Sequence, residues 1–312
     1  MYHNERARVN GQGGNGMARV KTEGKKKHRV LRIIGILLLV GVIILALSLI
    51  LSSRERKAQQ ALMVKSDAEL IGEHLYLPRE GGEDVDVNFY SVQDGAAHPL
   101  VINLHGGAFI AGDADTLDTQ SDRISKAWNV HVATVNYHLA VDGYDIAYGT
   151  QEVVDVVKYF RQNAAEYGID PDRMFVLGYS AGGYHAMASV LALHREGIDA
   201  AGQIICDGFI KEVNETYLSL DETVRRSIAP ALFILADNDP ISEGSLLYRQ
   251  SLEENGVKTE VQTYDGALYG FIEENNPEYA VLKTTSRSSA QETMARAAED
   301  VIGAWILAHC GA

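Results

Sequence analysis

A serine between two glycines, in Gly178-Tyr179-Ser180-Ala181-Gly182, directly follows the apolar run Met174 to Leu177 and directly precedes a helical stretch. In that setting G-x-S-x-G describes a tight strand-to-helix turn that exposes a hydroxyl able to attack a carbonyl carbon. The five letters alone are a weak signal in a chain with 29 glycines, so the strand before them and the helix after them carry the weight. Well upstream, His105-Gly106-Gly107-Ala108 closes the apolar run Leu100 to Leu104. A glycine-rich turn there can aim backbone N–H groups at a developing oxyanion, and the N–H of Ala181 would add another. An ordinary glycine turn accounts for the same letters, but not for their position ahead of the serine. Downstream, Ala236-Asp237-Asn238-Asp239-Pro240 closes the run Ala231 to Ala236. A carboxylate after the serine in the chain is in the right order to orient a catalytic imidazole. Asp237 and Asp239 each have a simpler role open to them, since a helical stretch follows and aspartate is a good N-cap.

These segments need a frame that brings chain-distant turns to one edge. Strand signals recur at Val85 to Tyr90, Leu100 to Leu104, Val130 to Val135, Met174 to Leu177, Gln203 to Cys206, Ala231 to Ala236 and Glu260 to Tyr264. Helical stretches fall between them, at about Leu117 to Trp128, Glu152 to Tyr167, Ala181 to Arg195, Ser242 to Asn255 and Ala290 to Ala308. In the second, Val153, Val156, Val157, Phe160 and Ala164 form one apolar stripe at three- and four-residue spacing. The alternation predicts an α/β fold with a mainly parallel, doubly wound sheet, whose chemistry belongs at the carboxyl ends of its strands.

At this point the residues resemble the α/β-hydrolase fold and, within it, the hormone-sensitive-lipase-like acetyl esterases and carboxylesterases. The likeness spans about residues 70 to 312 and is carried by NLHGGAF from Asn103, NYHLA from Asn136, Asn163 to Gly183, and LFILADNDPI from Leu232. It implies Ser180 as nucleophile, Asp239 as triad acid, and the N–H groups of Gly106, Gly107, Ala108 and Ala181 as oxyanion hole. It further implies an acyl-enzyme formed from a short-chain carboxylic ester.

Two departures are mild: Ala108 stands where a third glycine is common, and NYHLAV lacks the usual YRLAPE continuation. A third is serious. The segment Tyr264 to Phe271 places Tyr269 where such proteins carry the basic histidine, and only His309 follows Asp239 in the chain. A phenol with a pKa near 10 is a weak base at neutral pH, and loss of the base can cost about a millionfold in turnover. Three outcomes follow from the residues. The chain is a weakened or specialised hydrolase helped by Tyr269 or by a bound water and substrate group; or it recruits His105 or His138, which end strands; or it is a pseudoenzyme that keeps a pocket for a ligand or protein partner. His185 is expected to pack into or beside the core.

The formal charge of -14 is unevenly spread, at +9 through Lys57 and -23 beyond it. That disfavours nucleic acid as a partner of the larger part. From Ile33 to Leu51 run 19 residues without a charge, preceded by nine Lys/Arg. The pattern predicts an uncleaved single-pass anchor with residues 1–32 cytoplasmic and the remainder outside, rather than a secretory signal. Residues 52–68 read as a juxtamembrane linker and 69–312 as the hydrolase domain. Cys206 and Cys310 are expected to be unpaired. Neither a P-loop, a dinucleotide fingerprint nor H-E-x-x-H is present, so no cofactor or metal is expected.

Overall fold

Strand alternation decides which side chains reach which layer. In the computed structural model β3 (His98–Leu104) is buried along its whole length. Leu100, Ile102 and Leu104 enter one core cluster, whereas Val101 enters another on the opposite face. A period of two makes this division, and it requires apolar layers on both sides. Residues 69–310 are described, apart from 142, 209–210, 240 and 277–287. The expected tail, anchor and linker lie outside the described residues.

The remaining strands are β1 (Glu73–Leu77), β2 (Val85–Tyr90), β4 (His131–Val135), β5 (Ile169–Tyr179), β6 (Gly202–Cys206), β7 (Ala231–Asn238) and β8 (Thr259–Leu268). They form one sheet in the order β1-β2-β4-β3-β5-β6-β7-β8. The β1–β2 and β2–β4 pairs are antiparallel and all the others parallel. The helices are α1 (Asp118–Trp128), α2 (Ile146–Gln162), α3 (Ala164–Tyr167), α4 (Ala181–Arg195), α5 (Lys211–Leu218), α6 (Glu222–Arg225), α7 (Ser242–Glu254) and α8 (Ser289–His309).

One face of the sheet is covered by the α2 stripe Val153, Val156, Val157 and Phe160 together with Ala186 and Val190 of α4. Ile124 and Trp128 of α1 and Ile302, Trp305 and Ile306 of α8 cover the other. A third cluster joins Met187 and Leu191 of α4 to Phe233 of β7 and to Tyr248 and Leu252 of α7. The α2 helix begins earlier than its stripe suggested, because Asp145 caps it by accepting the Tyr148 N–H at 2.9 Å. Strand β1 and the helices α5 and α6 were not expected from the sequence. The first is a largely exposed edge strand, and the helices are short.

The strand order places the site. From β3 the chain steps outward to β4 on one side, then returns to build β5 on the other. A crevice opens at the carboxyl ends of two strands whose connections depart in opposite directions. The turn at His105 to Ala108 leaves β3 there, and the turn at Ser180 leaves β5.

Candidate active site

Ser180 occupies a conformation that side-chain-bearing residues rarely adopt, with φ 50° and ψ -114°. Such backbone costs on the order of 1–3 kcal/mol and persists only when its surroundings enforce it. Here the Ser180 N–H donates to the Cys206 carbonyl at 2.9 Å, and the Ser180 carbonyl accepts from Tyr184 N–H at 3.3 Å. The flanking glycines make room: a β-carbon on Gly178 would lie 2.1 Å from the Gly182 carbonyl oxygen, and one on Gly182 would lie 2.2 Å from that of Leu104. The second approach locks α4 against the end of β3, which sets the serine beside the glycine turn. Gly182→Ala should therefore destabilise the protein by about 2 kcal/mol, read as a drop in the urea midpoint. An unchanged midpoint would refute this packing.

The Ser180 hydroxyl is hydrogen-bonded to the hydroxyl of Tyr269. Tyr269 follows β8 directly and is held by its neighbours. Leu268 N–H donates to Gln291 Oε1 at 3.0 Å, Gly270 N–H donates to Asp207 Oδ2 at 3.0 Å, and Phe271 is fully buried. Burial pushes the Tyr269 phenol well above its usual pKa, the hydrogen bond to Ser180 opposes this, and the carboxylates of Glu273, Asp207 and Asp239 add to the rise. Tyr269 therefore stands beside the serine as a neutral phenol, able to donate or accept a hydrogen bond but not to hold a serine proton.

Asp239 is buried, and its Oδ1 accepts the Ile241 N–H at 2.7 Å. Its Oδ2 is buried and has no hydrogen-bond partner among the described residues. Burial raises its pKa. Asp237 is exposed. Asp239 is not among the residues that line the cavity in front of Ser180; another aspartate is. Asp207 leaves β6 at a left-handed φ of 47° and accepts Ala236 N–H at 2.9 Å through Oδ1 as well as Gly270 N–H through Oδ2. It thus fastens the end of β7 and the Tyr269 turn to the end of β6. Burial pushes its pKa up to about 7.

The cavity has a volume of about 130 Å³ and is lined by Gly107, Ala108, Ile110 and Ala111 of the glycine turn and its continuation, by Ser180, and by Tyr269, Ile272 and Glu273. Gly107, Ala108 and Phe109 all have positive φ, which turns this backbone sharply toward the serine. Gly106 departs from expectation, because its N–H is already committed to Glu273 Oε1 at 2.6 Å. The remaining expected oxyanion donors are the N–H groups of Gly107, Ala108 and Ala181.

No histidine among the described residues lines this cavity. His105 is fully buried and stacked on Tyr137, with Nδ1–H donating to the Gly106 carbonyl at 2.7 Å; burial lowers its pKa to about 4. His138 is paired with Glu152 at 2.6 Å. His185 is buried among Tyr137 and Phe109, bonded to Thr150 Oγ1 at 2.9 Å, and burial lowers its pKa to about 3. His309 donates to the Trp305 carbonyl at 2.8 Å. Recruitment of His105 or His138 is thus set aside, while His185 packs as expected. Cys206 and Cys310 are both unpaired. Among the described residues no three His, Cys, Asp or Glu side chains are grouped to hold a metal ion.

Sequence reasoning missed Asp207 and Glu273. The first carries the same signal that singled out Asp239, a carboxylate at the carboxyl end of a buried strand. The second lies two residues beyond Phe271, where the segment compared for its histidine stopped.

A strained serine at a strand-to-helix turn, faced by a glycine turn across the switch point of this sheet, is the arrangement of the α/β-hydrolase fold. The alpha/beta hydrolase fold pattern matches residues 101–221. An acetyl esterase of Salmonella typhi is 27% identical, with the match covering 61% of this chain and 70% of that protein. A hyperthermophilic esterase from the archaeon Pyrobaculum calidifontis superposes with a TM-score of 0.63 at 21% identity, over 83% of this chain and 93% of its own. A fungal esterase from Rhizomucor miehei does so with a TM-score of 0.65 at 19% identity, over 82% and 90%. The chain is thus similar to acetyl esterases in sequence and to carboxylesterases in fold, with the alpha/beta hydrolase match confined to residues 101–221.

Proposed function

We propose that this chain hydrolyses short-chain carboxylic esters through an acyl-enzyme on Ser180, at a rate reduced by Tyr269, while residues 33–51 anchor it in a membrane with the hydrolase domain outside. The observation that carries the proposal is the Ser180 hydroxyl, held in a strained elbow at the wall of a cavity faced by the Gly107–Ala108 turn. In the first half-reaction Ser180 Oγ bonds to the ester carbonyl carbon, and the N–H groups of Gly107, Ala108 and Ala181 receive the oxyanion. The alcohol leaves, and water then releases the acid from the acyl-serine. A cavity of about 130 Å³ favours an acetyl-sized acyl group over a long chain, in keeping with the acetyl esterases among the relatives. The anchor is supported by the uncharged run and by the excess of positive charge before it.

The neutral Tyr269 on Ser180 gives a second reading some force, that of a pseudoenzyme using the cavity to bind a ligand or partner. A fluorophosphonate separates the two. It should label Ser180 slowly, leave Ser180→Ala unlabelled, and abolish acetyl ester hydrolysis as labelling proceeds. Ester hydrolysis that is unchanged in Ser180→Ala would sink the enzyme reading. For the anchor, activity should stay with membranes after an alkaline wash, and release into the supernatant would refute it.

A further inference from the structure

We infer that Glu299, together with Arg123 and Arg296, is a positioning unit that sets the acyl length the cavity accepts, by holding the turn that carries Ile272 into the cavity lining. The inference rests on the esterase reading and deepens it, naming what keeps the acyl group short. Ile272 lines the cavity with Ser180 and is 1% exposed. It is followed at once by the 3-10 turn Glu273–Asn275. That turn is fastened to the rest of the fold at three points. Glu273 Oε1 accepts the Gly106 N–H at 2.6 Å, Arg123 Nη2 donates to Asn276 Oδ1 at 3.1 Å, and Arg296 Nη2 donates to the Asn275 carbonyl at 3.2 Å.

Both arginines are themselves held by one carboxylate. Glu299 stands on α8 and is 5% exposed. It receives Arg123 of α1 as a fork, Oε1 from Nη2 at 2.9 Å and Oε2 from Nε at 3.2 Å, and Oε2 also accepts from Arg296 Nη1 at 2.7 Å. A guanidinium carries its five N–H donors in one rigid plane, so fixing one edge on a carboxylate aims the other. Here the other edge meets the turn. Gln120 extends the unit, since its Nε2 donates to Glu299 Oε1 at 3.0 Å and to the Tyr179 hydroxyl at 3.0 Å. Tyr179 lines the cavity as well, so one buried carboxylate is joined to two parts of the lining.

Stability alone does not explain a charge cluster at this place. Taking a carboxylate out of water costs much of what its attraction to guanidinium groups returns, and apolar side chains of similar volume hold helices together at least as well. Such contacts already join these two: Ile124 and Trp128 of α1 share a core cluster with Ile302, Trp305 and Ile306 of α8. What the forked pairs add is direction. The turn's own backbone bonds, Glu274 N–H to the Gly270 carbonyl at 2.9 Å and Asn276 N–H to the Glu273 carbonyl at 3.2 Å, are local and do not fix it against the sheet. With the arginines released, the turn and Ile272 are free to move outward, and a cavity of about 130 Å³ gains room for a longer acyl chain.

The test is selectivity: kcat/KM for 4-nitrophenyl butyrate divided by that for the acetate, in wild type, Ile272→Ala, Glu299→Gln and Arg296→Met, each beside its urea midpoint. Loss of folded protein lowers both rates alike and leaves the ratio unmoved. The ratio should rise by about tenfold in Ile272→Ala, the scale on which an apolar pocket discriminates a methylene or two, and several-fold in Glu299→Gln and Arg296→Met. Arg296→Met leaves Glu299 paired with Arg123, so it reads the turn even where Glu299→Gln fails to fold. A wild-type ratio in Arg296→Met and in any folded Glu299→Gln, whatever the fall in midpoint, makes the unit structural and overturns the proposal. An unmoved ratio in Ile272→Ala overturns it too, because Ile272 then does not bound the acyl group. Hydrolysis that persists in Ser180→Ala removes the esterase reading instead, and that failure shows in Ser180→Ala rather than in the ratios.

Discussion

Tyr269→His raises the turnover of an acetyl ester by about a hundredfold, the lower end of what a positioned general base contributes. The position is already built for it. The Tyr269 hydroxyl meets the Ser180 hydroxyl, so the shorter imidazole, on the same Cα, points its far nitrogen along the same line. The turn is pinned on either side by Gln291 and Asp207, which keeps the residue's backbone in place through the exchange. A histidine also needs an acceptor for its second N–H, to fix its tautomer and stabilise the imidazolium. Asp239 has one buried oxygen without a partner, and its charge already acts on residue 269. The result to measure is kcat in wild type, Tyr269→His, and Tyr269→His with Asp239→Asn, which should give back most of the gain. A change of less than threefold in the first variant would mean that Tyr269 is not what limits this site. If Asp239→Asn left the gained activity intact, Asp239 would not be the orienting acid.

How far the sequence could be read depends on which interactions are local. The apolar runs of β3, β5, β6 and β7 are buried on both faces, so their letters announced them. Strand β1 did not, because an edge strand with exposed side chains has no such run. The serine turn was legible because its glycines answer steric demands made within a few residues, at Gly178 and Gly182. Tyr269 drew attention only through the resemblance, because the segment Tyr264 to Phe271 is similar to one that carries a histidine in the esterases this chain resembles. What stayed hidden were contacts between chain-distant groups. Nothing in the letters tells that the Gly106 N–H is taken by a glutamate far along the chain. Nor do they tell that an aspartate after β6 takes a left-handed φ in order to hold two backbone N–H groups from other elements. The anchor rests on composition alone and lies outside the described residues.

Asp207→Asn flattens the pH dependence of stability between pH 4 and 7. A carboxyl whose pKa is 3.8 when unfolded and about 7 when folded binds a proton in the native state across that window, while the unfolded chain does not. Each pH unit gained there lowers the unfolding free energy by about 1.4 kcal/mol, on the order of 4 kcal/mol in all, and the loss levels off above pH 7. The cause is burial, which the two N–H donors only partly offset. His105 and His185 act with the opposite sign. Burial holds their folded pKa values at about 4 and 3, so they add stability as pH rises from those values toward 6.5. Because they are common to both proteins, subtracting the variant's curve from that of the wild type removes them and leaves Asp207. Asparagine brings one acceptor oxygen to two backbone donors, so the variant should also be less stable at every pH by about 1–3 kcal/mol. That offset is not the test. Urea unfolding from pH 4 to 8 gives both slopes, and equal slopes would mean that Asp207 ionises as an ordinary carboxylate. If the slopes differ as expected, the group that fastens the Tyr269 turn changes charge near neutrality, and the protein gives up stability there by burying a carboxylate in the lining of the cavity that holds Ser180.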